Sequence, residues 1–286
     1  MFVPLKVKTH YSLLNSTIQI PNLVDKFSNL GYSSCAIVDN SLAGSLKFIK
    51  ACKEKNIKPI IGYDLTLYNE KGEYHLYLLA KNKQGWKDLI KIVSTANLPG
   101  FFLKKARLPF DKLPELVTPN LLGYIGSYQT ELNRLEGFLN EDDIVKRYKS
   151  IFSKNLYLEI QLLDQNNDVG LPLRAGRLRD LSRKYNIKCF AANESHYLNK
   201  DDAVDHRILL CSSLQTTLSN LANKVNLNRP DLVKFLKSYN YYLPSVDDIS
   251  SLYTEAEIEC TQEIADQCES YDITSPPQLP DYSIPE

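Results

Sequence analysis

Apolar residues along this chain follow two rhythms. Short runs in which nearly every position is apolar or β-branched alternate with stretches in which apolar positions recur every three or four residues. Phe2 to Val7 reads as a strand. Ile20, Leu23, Val24, Phe27 and Leu30 mark one face of a helix, and Gly31 supplies its stop. Ser34 to Val38 reads as a buried strand, Leu42 to Lys55 as a helix and Ile60 to Tyr68 as a further strand. The turn Asn69-Glu70-Lys71-Gly72 leads into Glu73 to Ala80, so these two strands are expected to form a hairpin. Lys83 to Ala96 is helical in pattern, whereas Pro99, Pro109, Pro114 and Pro119 mark Leu98 to Asn120 as loop with short helical pieces. Strand Leu121 to Ile125, helix Asp142 to Phe152, strand Leu156 to Leu162, helix Leu171 to Tyr185 and strand Lys188 to Ala192 complete the alternation.

Repeated strand-then-helix units predict a parallel sheet, most simply a closed, irregular α/β barrel. After Asp201 the pattern turns mainly helical, clearest at Asp202 to Cys211 and Glu255 to Cys268, and least readable from Ser212 to Val246. Ser275 to Glu286 is a Pro-rich extended strap. Polar groups gather where strands end, at Lys6 and Lys8, at Asp39-Asn40, at Asp64 and at Asn193-Glu194-Ser195-His196. Strand C-termini are where α/β barrels place their chemistry.

Composition narrows the options. A chain of 286 residues is long enough for one large barrel with a substantial core. Lys+Arg and Asp+Glu both number 34, so there is no global basic excess of the kind that accompanies tight nucleic-acid binding. The six cysteines form no C-x-x-C pair and lie in apolar runs or helical patterns, which predicts buried free thiols in a reducing cytosol. Met1 to Lys6 has no apolar core of a signal peptide, and no run approaches the ~20 apolar residues of a membrane span, so a cytoplasmic location without membrane contact is expected.

Several segments together resemble a known family. They are Lys6-Val7-Lys8-Thr9-His10-Tyr11-Ser12-Leu13-Leu14, Ile57 to Asp64, Tyr74 to Asn82, Gly85-Trp86-Lys87-Asp88-Leu89-Ile90, Tyr157-Leu158-Glu159-Ile160-Gln161, Asn193 to Tyr197 and His206 to Cys211. In order and spacing they are similar to the PHP domain (polymerase and histidinol phosphatase) that opens the α subunit of bacterial DNA polymerase III. The resemblance implies a distorted (β/α)7-type barrel over residues 1–270, mainly helical from about 200 to 270. Residues 271–286 would then be a Pro-rich linker toward a polymerase palm that this chain does not contain.

Active PHP domains hold divalent metals in a cluster of His, Asp, Glu and Cys ligands and hydrolyse phosphoesters, because closely spaced metals activate water and stabilise the charged phosphorus centre. Carried over position by position, the family's opening His-x-His falls on Lys6 and Lys8. Its Asp-His falls on Asp39 and Asn40, its glutamate on Asp64, its cysteine on Ser127, a further histidine on about Leu163, and its closing Asp-x-His on Glu194 and His196. These nine positions therefore read as a degenerate metal site with no catalytic residue. If any metal binds, Asp39, Asp64, Glu194 and His196 are the residual ligands. Buried acids left without their cations are costly, so Lys6 and Lys8 are expected to place ammonium groups there, paired with Asp39, Asp64 or Glu194. The competing reading has one or both lysines pointing to solvent.

By resemblance the leading function is the non-catalytic N-terminal domain of a replicative polymerase, with a structural and docking role. Its implied partners are the remainder of the α subunit, a separate proofreading exonuclease subunit and, in the holoenzyme, DNA. No cofactor is expected in this chain, while the parent polymerase would use Mg. The alternative is a metal-dependent 3′–5′ exonuclease or phosphoesterase that uses the residual acidic and histidine cluster with Zn or Mn. A free-standing phosphatase related to histidinol phosphatase is the third option, and the Pro-rich strap argues against it. Other polar groups have plainer readings. His10 is weighed between a ligand by default and a surface place or one behind the site, the latter favoured; His75 is expected exposed or paired across strands, and His206 in local ion pairs with Asp202 and Asp205. The basic cluster Lys104, Lys105 and Arg107 is weighed between template phosphates and a solvated loop. Arg174, Arg177, Arg179, Arg183 and Lys184, crowded on one helix, are weighed between an acidic partner and solvation.

Overall fold

Strand β1 (Ser34–Asp39) is buried along its whole length, as a run of small and β-branched residues sandwiched between layers must be. The computed structural model describes residues 2–134, 140–220, 235 and 238–274. In these residues β1 pairs in parallel with β2 (Lys58–Asn69), and β2 pairs antiparallel with β3 (Gly72–Ala80), which confirms the hairpin. β3 runs antiparallel to β5 (Leu121–Ile125), and β5, β6 (Leu156–Gln161) and β7 (Cys189–Ala192) are mutually parallel. The short β4 (Leu108–Pro109) lies against β2. The sheet order is therefore β1-β2-β3-β5-β6-β7, parallel except for the hairpin's return arm.

Helices wrap the outside. α1 (Ile20–Asn29) buries Ile20, Leu23, Val24 and Phe27, the stripe its spacing predicts. α2 (Ser45–Glu54) begins three residues later than its apolar pattern suggested, because Leu42 to Gly44 form a turn before it. α3 (Lys83–Ala96) starts at Asn82, whose side chain accepts the Gly85 N–H. Two short helices, α4 (Leu113–Leu116) and α5 (Glu131–Arg134), precede α6 (Glu141–Phe152) and α7 (Gly170–Tyr185). The expected helical C-terminal part comprises α8 (Ala203–Ser213), α9 (Val246–Ser250) and α10 (Glu255–Asp266). The Pro-rich residues 275–286 and much of the poorly readable stretch, residues 221–234, 236 and 237, lie outside the described residues.

The N-terminal segment is extended but irregular. It runs between β1 and the chain after β7, with Val7 bridged in parallel to both Ile37 and Ser195. Pro4 O accepts Ala36 N–H and Val7 O accepts Val38 N–H, so three steps of this segment face two steps of β1. That is a bulge with one extra residue. It explains why no regular strand forms where Phe2 to Val7 predicted one. It also resets the alternation: Leu5 belongs to the cluster inside the barrel, and the Lys6 ammonium reaches the same interior. The barrel interior is filled by Val38, Ile60, Leu79, Tyr124 and Phe190 among others, with Cys260, Ile264 and Ala265 of α10 plugging it. All six cysteines are free thiols, five buried and Cys189 half-buried.

Candidate functional site

The inward-facing residues nearest the strand C-termini are charged. Lys6 and Lys8, on the bulged segment, are 0% and 1% exposed, so neither points to solvent. An ammonium that deep requires a partner. Lys6 Nζ donates to both oxygens of Glu159, at 3.1 and 3.0 Å, and lies 4.0 Å from Glu194. Its Nζ also sits 3.6 Å from the centre of the Tyr77 ring, a cation–π contact in a dry setting. Lys8 Nζ donates to Asp64 Oδ2 at 2.5 Å. Tyr77 stands between the two ammonium groups, 5.5 Å from Lys8 Nζ, and stacks on Tyr124. Burial first, and the neighbouring carboxylates second, push both phenols well above their ordinary value, so they stay neutral.

Each remaining acid has its own partners. His75, diagonal to Asp64 across the hairpin, places Nδ1 2.5 Å from Asp64 Oδ1. Among the described residues Asp39 takes no lysine. It accepts Thr9 N–H at 2.7 Å and the Thr9 and Ser12 hydroxyls at 2.6 Å each. Glu194 Oε1 lies 2.9 Å from His196 Nε2, and His196 Nδ1 lies 2.6 Å from Asn15 O. Ser127 is buried, and its backbone N–H donates to Glu159 Oε1 at 3.1 Å. Asn40 is exposed beyond the end of β1, and Leu163 is half-buried after β6.

The nine positions carried over from the family therefore separate. Lys6, Lys8, Asp64, Glu194 and His196 converge at the mouth, Asp39 is held beside it by neutral donors, Ser127 offers its backbone N–H to Glu159, and Asn40 and Leu163 contribute no charge. The residue that sequence reasoning left out is Glu159, the closest partner of Lys6. Its signal was an acid in the middle of the apolar run Leu156 to Ile160, which predicts a buried charge in need of a cation. Thr9, Ser12 and Tyr77 were likewise missed, whereas His75 takes the cross-strand pairing that was one of its two expected readings, with Asp64 as its partner.

Burial raises the Asp64 carboxyl, but His75 and Lys8 outweigh it and hold that carboxyl well below the usual carboxylate range. A depressed folded-state value means that the stabilisation is full above the unfolded carboxyl pKa, about 3.9, and is lost as pH falls through the folded value. Denaturation midpoints followed from about pH 6 down to about pH 2 are expected to drop below about pH 4. Asp64→Asn is expected to flatten that limb, and an unaltered limb in the variant would sink the assignment.

A divalent metal does not fit this donor set. The carboxylate oxygens that would ligate it already accept from ammonium, imidazole, hydroxyl and backbone donors, and a metal would have to displace a buried ammonium. Among the described residues, no group of three or more His, Cys, Asp or Glu side chains is arranged to hold one.

Most of the other polar groups named from the sequence find partners within the chain. His10 Nδ1 lies 3.1 Å from Ile18 O. His206 is buried and bonds Asn15 O at 2.9 Å rather than pairing with Asp202 or Asp205, because its helix turns that face toward the mouth. Lys105 and Arg107 share Glu73, at 2.9 and 3.1 Å. Arg174 pairs with Asp168, Arg177 with Glu141, Arg179 with Glu257 and Arg183 with Asp180, so the basic helix α7 is neutralised by its own chain. No helix among the described residues is long and apolar enough to cross a membrane.

Comparison with known proteins gives the chain a family. The family profile of the PHP domain matches residues 4–162, more than half of the chain. The DNA polymerase III subunit alpha of Borreliella burgdorferi is 31% identical over 307 aligned residues, covering 99% of this chain and 25% of that protein. That of Aquifex aeolicus is 31% identical over 245, covering 78% of this chain and 20% of that protein. The chain thus spans a quarter or less of these relatives' length. A crystal structure from Bacteroides vulgatus, of a two-domain protein containing a predicted PHP-like metal-dependent phosphoesterase, superposes with a TM-score of 0.44 at 9% identity, over 68% of this chain and 52% of that one. The chain belongs to the PHP domain family and is a homologue of the PHP region of bacterial DNA polymerase III α subunits.

Proposed function

We propose that this chain is the N-terminal PHP domain of a replicative DNA polymerase α subunit and that its mouth is a degenerate metal site serving architecture rather than hydrolysis. The observation that carries this reading is the pair of fully buried lysines at positions where active members of the family place metal-binding histidines. Lys6 on Glu159 and Lys8 on Asp64 put fixed positive charge among the acids. A buried ammonium held this way is a poor general base and leaves no open coordination position for water.

The domain's role is then to brace the polymerase fold and offer a docking surface, with the remainder of the α subunit and a proofreading exonuclease subunit as partners. DNA is met only in the holoenzyme, in the cytoplasm, and primer extension with Mg belongs to the parts of the polymerase beyond this chain. Residues 271–286 serve as the linker toward the palm.

Metal analysis of the purified chain tests this. Well under one equivalent of zinc or manganese is expected, EDTA is expected to leave the melting temperature unchanged, and single-stranded DNA is expected to survive incubation. Stoichiometric metal together with hydrolysis that fails in Asp64→Asn would instead make the chain a metal-dependent exonuclease or phosphoesterase using Asp39, Asp64, Glu194 and His196.

A further inference from the structure

The large apolar side chains with the greatest exposure among the described residues are Val169 at 82%, Leu13 at 80% and Leu173 at 74%; Leu103 follows at 55%. All three belong to the same end of the barrel. Leu13 lies on the loop that leaves the N-terminal segment, and Val169 and Leu173 lie where the chain leaves β6 and enters α7. The segment, β1 and β6 run in parallel directions, so these exits share the mouth end. Single exposed leucines are ordinary, but these come in pairs. Leu14, 46% exposed, adjoins Leu13, and Val169 and Leu173 are one helical turn apart.

The Leu13-Leu14 loop is held rigidly. Leu14 has a φ of 58°, a left-handed conformation that a leucine adopts only when its surroundings impose it. His10 N–H closes the loop on Ile18 O at 2.8 Å, and the Ser12 hydroxyl anchors it to Asp39. Asn15 O accepts from His196 and His206, and the Ser16 hydroxyl bonds Lys8 O and His196 O. The buried charge cluster is therefore the pedestal of an exposed apolar knuckle. On the other side of the mouth, Asp168, next to Val169, is tied to Arg174, next to Leu173.

We propose that this rim is a docking surface for an uncharged, aliphatic protein surface supplied in cis by the rest of a polymerase-length chain. The aliphatic character fits protein packing rather than base stacking, which needs aromatic rings. The covalent source follows from relatives about four times as long as the matched region, and to that extent the inference rests on the function proposed above. A preordered loop lowers the entropy lost on docking.

The test is hydrogen–deuterium exchange at residues 10–19 and 165–176, in this 286-residue chain and in the polymerase-length gene product. Both segments are expected to exchange about tenfold or more slowly in the longer protein. Leu13→Asp with Leu173→Asp is expected to abolish that difference while leaving the melting temperature of the 286-residue chain within about 1 °C, since both sites are on its surface. Equal exchange in the two proteins overturns the proposal. So does protection that appears only when a second copy or a separate subunit is added, and so does a gene that ends at Glu286. Metal content measured on the same samples keeps the two readings apart: bound metal beneath a protected rim defeats the degenerate-site reading and leaves the docking surface standing.

Discussion

Lys6→Met is expected to destabilise the folded chain by about 3–5 kcal/mol, the usual consequence of removing one partner from a buried ion pair. For a domain near this size that corresponds to a fall in melting temperature of about 6–20 °C. Most of the loss comes from what remains: Glu159 is 0% exposed, and without the ammonium it keeps, among the described residues, the Ser127 N–H and a weak contact from Gln161. Adding Glu159→Gln to Lys6→Met is therefore expected to recover much of the loss, because replacing a whole buried pair by groups of similar shape is often nearly neutral. The recovery, read as a coupling energy in a double-mutant cycle, separates a charge effect from a packing effect. Lys6→Met with a melting temperature within about 2 °C of the parent would show that the ammonium is not what balances the acid. Lys8→Ala is expected to behave alike through Asp64, and EDTA to change neither variant.

The second large effect is expected at Gly126. Its φ is +133°, a conformation that side-chain-bearing residues rarely adopt, and a Cβ built there would lie 2.5 Å from Glu159 O. Gly126→Ala therefore meets both a strained backbone and a collision with the strand that carries Glu159. Relief requires β5 and β6 to move apart, which would pull Ser127 N–H from Glu159 and disturb the Lys6 pair. Strain and overpacking each cost about 1–3 kcal/mol, so a loss of about 3 kcal/mol or more is expected. Urea denaturation followed by far-ultraviolet circular dichroism measures it. A midpoint equal to the parent's would mean that the strand end accommodates a methyl group and that the close approach is not needed.

Part of this was legible without coordinates. The stripe Ile20, Leu23, Val24 and Phe27 declared helix α1, the run Ser34 to Val38 declared a strand buried on both faces, and Asn69 to Gly72 declared the hairpin. These features are local, set by side-chain spacing and turn residues, so one sequence suffices to read them. The substitution of lysines at 6 and 8 was also plain in the sequence and carried the expectation of buried positive charge near Asp64.

What the tertiary structure alone decided is which charge meets which. Lys6 turns inward because a bulge sets three residues of its segment against two of β1, and nothing in Phe2 to Val7 announces an extra residue. Glu159 and Lys6 are 153 positions apart, and only closure of the barrel brings them to 3.0 Å. Asp39, equally acidic on paper, is claimed by Thr9 and Ser12 because the chain turns over it after Lys8. His206 leaves its neighbouring acids for a carbonyl 191 positions away. Pairing across such separations depends on backbone register and on burial, which make each unmatched charge costly. The sequence by itself determined the elements and the identity of the charges; the fold determined the partners, because strong electrostatic pairing requires proximity in a water-free interior, and proximity there is a property of the closed barrel.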